Sequence, residues 1–242
     1  MKSQRSIGFN AGLNMIRTAC QVIFPLITFP YVSRVLHVDN IGIYNFCQSV
    51  ISYFSLLAGL GVSTYAIREG ARYRDNEEKM ALFASEVFSI NFLSTIFSYL
   101  ILGACVFLIP RVNQYGQIMA VLSISIMFTL VGSEWIFQIY EDYKYITIRG
   151  ILFQCISLML MFAFVKNSSD LFAYVWITVI SSSGANILNA ISRRKYCKIR
   201  LVVNAKVLTH LSPILVLFAT TVATTIYTNA DTTMLGFLSG NK

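Results

Sequence analysis

The sequence predicts an all-α, polytopic membrane helix bundle of about seven spans with a cytoplasmic N-terminus. Three observations predict it. The 242 residues are 56% hydrophobic and only 12% charged, with mean hydropathy +0.64, whereas a soluble domain carries about 25% charged residues. Apolar runs of roughly 20 residues, long enough at the helical rise for a hydrocarbon core of about 30 Å, recur between short charged clusters. No run shows the polar/apolar alternation that a membrane strand needs, and backbone groups in lipid must be satisfied internally, so the spans read as helices.

The spans read, in order, as residues 7–32, 41–66, 82–109, 116–139, 147–165, 170–191 and 211–238. The first has no compact apolar core leading to a small-x-small cleavage site, so it reads as a retained helix rather than a signal peptide. The connecting segments alternate in charge. The tail and the segments after the second, fourth and sixth spans hold fourteen basic residues, Lys144 and Arg149 among them. The opposite segments hold three, Arg34, Arg111 and Lys166. This bias puts the N-terminus inside and sends the seventh span outward. It also answers the net charge of +8: clusters at helix ends face anionic membrane lipids, and nucleic acid is not expected as a partner. The stretch from Glu134 to Tyr145 reads as an inner aromatic belt.

In the first span Asn10, Asn14, Arg17 and Gln21 are spaced by 4, 3 and 4, which puts them on one helix face. Arg17 lies about 15 Å into the span, near the bilayer midplane, where a charge needs a wet cavity or a partner. A guanidinium suits phosphate because its planar fork donates two parallel hydrogen bonds. The spacing therefore nominates Arg17 as the cation of a cavity for an anionic substrate, against a structural pairing with a carboxylate. Asn10, Asn14 and Gln21 are expected to bind beside it. Pro25 and Pro30 remove helical hydrogen bonds, so bending is expected there. Gly8 and Gly12 would permit close helix contact. Asn45 and Gln48 continue the polar theme on a stripe of the second span with Ser52, Ser55 and Gly59. Ser181 to Asn186 reads as tight packing.

Three carboxylates within spans, Asp231, Glu134 and Glu86, are candidates for ion coupling or gating, because intramembrane acids mark ion routes. No catalytic motif is present: no HExxH, no Ser/His/Asp spacing, no phosphate-binding loop. His37 and His210 fall at loop ends on opposite sides. The five cysteines include no CxxC pair, so neither a disulfide framework nor a metal site is expected. No cofactor is expected.

Three stretches carry a resemblance. Residues Phe24-Pro25-Leu26-Ile27-Thr28-Phe29-Pro30-Tyr31-Val32-Ser33-Arg34-Val35-Leu36 with Ile41-Gly42-Ile43-Tyr44 are one. Glu134-Trp135-Ile136-Phe137-Gln138 with Glu141 and Tyr143 to Thr147 are the second. Tyr227 to Phe237 is the third. In this order they resemble the polysaccharide repeat-unit (O-antigen or capsule, Wzx-like) flippases of the multidrug/oligosaccharidyl-lipid/polysaccharide exporter superfamily. The resemblance implies a two-lobed bundle around a cationic cavity. It implies alternating access for an oligosaccharide on undecaprenyl pyrophosphate across the cytoplasmic (inner) membrane. Members run to nearly twice this length. Residues 1–210 would then form the first six-helix lobe and 211–242 the first helix of a second. The expectation is a truncated form, or one needing a second chain for the other lobe, with a polysaccharide polymerase as a further partner. A drug/cation antiporter of the same superfamily is the alternative, but it wants a mid-depth carboxylate where Arg17 stands. A non-transporting remnant or assembly partner is the other.

Overall fold

The computed structural model describes residues 7–202 and 205–238, with only the backbone described at Ile7, Asn10, Ala205 and Lys206. The described residues form helices and no strand. In chain order these are α1 (Ile7–Gly59), α2 (Val62–Gly70), α3 (Glu77–Leu108), α4 (Pro110–Asn113), α5 (Gly116–Gly132), α6 (Trp135–Ile139), α7 (Tyr143–Phe164), α8 (Leu171–Ser192) and α9 (Ala205–Leu238).

The 53 residues of α1 would reach about 80 Å if straight, far beyond one membrane crossing. The helix breaks at His37 (φ 61°, ψ 165°), a conformation costly for a residue with a Cβ. The two limbs run in opposite directions, as their partners prove. In the first, the Leu13 carbonyl accepts from the Thr147 hydroxyl at 3.3 Å, near the start of α7. Further on, the Tyr31 hydroxyl donates to the Val165 carbonyl at 2.7 Å, just past the end of α7. The first limb thus runs parallel to α7. In the second limb, Ser98 donates to the Phe54 carbonyl and Asn91 to the Ala58 carbonyl, both at 2.7 Å, so this limb runs antiparallel to α3. These small polar groups hold helices together where water is absent. The expected loop at 33–40 is therefore a single strained residue, His37, while Pro25 and Pro30 lie within the helical first limb. Gly12, expected at a close contact, has no neighbour for an added Cβ.

With α1 counted as two passes, the seven expected spans are all present, on α1 (twice), α3, α5, α7, α8 and α9. Among the described residues five apolar helical segments are long enough to cross a membrane, and α5 is a shorter apolar helix. The second span ends sooner than expected, at Leu60 and Gly61 (φ 45° and 74°). A Cβ at Gly61 would meet the Phe218 backbone nitrogen at 3.0 Å, so glycine lets α9 approach. The fourth span is also shorter. It ends at Ser133 (φ 43°), after which α6 begins anew.

Three apolar clusters result. One joins the second limb of α1 to α5 and α8 through Phe46, Ile51, Met119 and Val175. A second, at the inner end, joins α2, α3 and α6 through Tyr65, Met80, Trp135 and Ile136. The third joins the first limb to α7 through Leu36 and Met161. The second cluster corrects the expected aromatic belt. Trp135, Ile136, Phe137 and Ile139 are buried at 3% exposure or less, and Phe137 stacks on Tyr145 at 4.9 Å. Residues 135–139 thus form a packed plug, because the break at Ser133 turns them inward, while Tyr140, Tyr143 and Tyr145 stay partly exposed.

Candidate functional site

Glu134 sits where α5 has ended and α6 has not begun. The left-handed Ser133 stops α5, and Arg193, just past the end of α8, satisfies the break: its Nη1 donates to the Val131 carbonyl at 2.7 Å and to the Ser133 hydroxyl at 3.1 Å. Close packing brings α8 to this break. A Cβ at Gly132 would run into the Asn186 side chain, and one at Gly184 into the Phe153 ring of α7. The expected tight packing at Ser181 to Asn186 is this contact, with Ser183 to Asn186 buried.

Two guanidiniums converge on Glu134. Arg17 Nη2 lies 2.7 Å from Oε1, and Arg149 Nη2 lies 2.5 Å from Oε2. Arg149 also donates through Nη1 to the Ala185 carbonyl at 3.3 Å and lies over the Tyr145 ring at 5.5 Å. Gln138 adds a donor to Oε1 at 3.3 Å. Two cations against one anion leave one formal positive charge. Exposure separates them: the Arg149 side chain is 4% exposed, those of Arg17 and Glu134 25% and 26%. Arg149 is fixed, while the Arg17–Glu134 pair faces open space.

That space is a cleft of about 400 Å³ between the first limb of α1, α7 and α8, with the triad at one end. From α1 it is lined by Arg17, Gln21, Phe24, Pro25 and Thr28. From α7 come Arg149, Gln154 and Ser157, and from α8 Tyr174, Thr178, Ser181 and Ser182. The walls thus mix a cationic end, amides, hydroxyls and two aromatic rings.

The structure redistributes the expected site residues. Arg17 and Gln21 line the cleft with Glu134. Arg17 is a paired cation rather than a lone one: Glu134 holds it at the end of the cleft. Asn14 is exposed and outside the cleft lining, since the half-buried side of the limb runs through Leu13, Arg17, Cys20, Phe24 and Thr28. The Asn10 side chain lies outside the described residues. Asn45 and Gln48 are exposed on the second limb and do not line the cleft. Asp231 is exposed on α9. Glu86 is buried at 4% and 3.0 Å from His210 Nε2, with Tyr65 hydroxyl 2.7 Å from His210 Nδ1. His210 is therefore part of α9, not a loop end.

Sequence reasoning missed Arg149. It counted this residue with the inner loop, yet α7 begins at Tyr143 and encloses it. A lone arginine inside an apolar run was the available signal. Gln154 and Tyr174 carried no comparable one. Among the described residues no group of three His, Cys, Asp or Glu could hold a metal ion.

Comparison with known proteins now adds to this geometry. The chain matches the family described as polysaccharide biosynthesis protein over residues 7–242. It belongs to that family. Two curated relatives, both named "Putative O-antigen transporter", are from Escherichia coli K12 and Shigella dysenteriae. The first is 28% identical over 170 residues, 70% of this chain and 40% of the relative. The second is 25% identical over 223 residues, 90% of this chain and 55% of the relative. The chain thus spans about half the length of the curated relatives it matches. No solved structure matches. With its apolar helices and this kinship, the family member is a multi-pass inner-membrane protein.

Proposed function

We propose that this chain takes part in moving undecaprenyl-pyrophosphate-linked oligosaccharide units across the inner membrane, for O-antigen or capsule synthesis. The observation that carries the reading is the cleft with Arg17 and Arg149 at its end. Guanidiniums suit a diphosphate, and the amides, hydroxyls and rings above them suit a sugar. The role is binding and translocation rather than catalysis, by alternating access of two lobes. Residues 1–210 make the first lobe and 211–242 open the second. The second lobe's remaining helices come from elsewhere in a longer protein or from a second chain, and a polysaccharide polymerase is the expected receiver. Contacts at both ends of α9 support its place at the lobe boundary: His210 with Glu86 inside, Arg111 with the Gly236 carbonyl outside at 3.1 Å. In this reading Glu86 gates the inner contact, and Asp231 and the Asn45/Gln48 stripe face the second lobe. Asn10 and Asn14 guide substrate at the inner mouth. The drug/cation antiporter reading is disfavoured, because the charge facing the cleft is net positive.

Arg17→Ala is the test, in a strain whose surface polysaccharide depends on this protein. Surface polysaccharide is lost while the protein remains in the membrane at its usual level. Normal polysaccharide at normal protein level defeats the proposal.

A further inference from the structure

We infer that Glu134 is an internal competitor for the substrate's anionic group: it occupies the Arg17–Arg149 pair when the cleft is empty and yields it, taking up a proton, when an anion enters. This rests on the reading of the cleft as an anion site. The geometry carries it. One carboxylate oxygen serves each guanidinium, Oε1 to Arg17 and Oε2 to Arg149, which is the bridging arrangement a phosphate oxygen pair would adopt. The two cations come from different helices, and holding them together without an anion is costly at low dielectric. Some anion must therefore be present in every state. Arg149 is locked by the Ala185 carbonyl and the Tyr145 ring, so the cradle persists when Glu134 leaves. Glu134 is free to leave: it is a quarter exposed, its neighbour Ser133 is a backbone break, and among the described residues no other acid lines the cleft.

The proton follows from the exchange. Displaced from both cations, the carboxylate keeps only the weaker Gln138 donor and favours its neutral form. Cleft water supplies the proton, and the reverse step returns it. The charged and titratable groups around Glu134 are Arg17 from α1, Arg149 and Tyr145 from α7, Tyr174 from α8 and Arg193 just past its end. None of these is ordinarily half-protonated near neutral pH, which leaves Glu134 as the group that exchanges a proton. Anion entry and proton uptake are thus linked at one residue.

Isothermal titration of the purified protein in nanodiscs with inorganic sulfate tests this, since sulfate keeps a fixed charge across the range used. In paired buffers of different ionisation enthalpy, the wild type takes up about one proton per sulfate bound, and affinity rises as pH falls from about 8 to about 6. Glu134→Gln binds sulfate at least about tenfold tighter and without that proton uptake. Arg17→Gln weakens binding. If Arg17→Gln weakens binding but Glu134→Gln does not tighten it, the anion site stands and the exchange is overturned. If the wild type binds sulfate without taking up a proton, the exchange is likewise overturned, whatever the variants do. Sulfate binding by neither wild type nor variant overturns the anion site and the exchange with it.

Discussion

Two carboxylates sit toward the inner end of this bundle in opposite circumstances. Glu134 lies at a helix break, bridges two guanidiniums and faces a cleft. Glu86 lies mid-turn on α3, is 4% exposed, and meets His210 beside the rings of Tyr65 and Phe83 in a packed core. The lesson is that an acid inside a membrane span acquires its meaning from the number of cations it faces and from whether space adjoins it. A buried hydrogen-bonded pair in a packed setting, such as Glu86 with His210, ties the inner end of the bundle together and leaves a ligand no room. An ion pair at the edge of a cleft has another use, since a ligand can take the place of one partner.

The sharpest way to break the comparison is at the buried cation. Arg149→Met strands Glu134 Oε2 and the Ala185 contact, and a loss of about 3 kcal/mol is expected, read as a lowered unfolding midpoint in detergent. Sulfate binding falls with it. Full stability in this variant would mean that Arg149 is not held as described. Next in size, Glu86→Leu leaves the His210 ring nitrogen unpaired and costs about 1–3 kcal/mol. The double variant Glu86→Leu/His210→Phe recovers most of that, with sulfate binding unchanged throughout. Failure of the second change to restore stability would show that the inner pair is more than packing. Smallest is an alkaline effect in the same inner core. Burial pushes the Cys197 thiol up to about 11 and the Tyr140 phenol up to about 12. Both are acids whose folded values lie above their unfolded ones, so the neutral forms stabilise the fold below about pH 9. That contribution is lost as pH rises toward about 11, a decline of about 1 kcal/mol that Cys197→Ala should flatten. Equal decline in wild type and variant would place the thiol in a wetter site.

The sequence alone revealed the class of fold, because it is written in local composition: the length and spacing of the apolar runs. Of the cleft it revealed Arg17 and Gln21, since helical spacing within one span is a local property. It also offered Glu134, but only as an isolated acid. What it did not yield was the partnership. Arg17 and Glu134 are 117 residues apart in sequence, and spacing within one helix says nothing about which neighbour arrives opposite it. The Ser133 break, the glycine contacts of α8 and the parallel register of α1 with α7 decide that Arg17, Glu134 and Arg149 meet. The same applies to His210 and Glu86, which 124 residues separate. Charge pattern and length are set residue by residue along the chain, whereas a shared carboxylate needs three helices packed in one register, which tertiary structure alone decided.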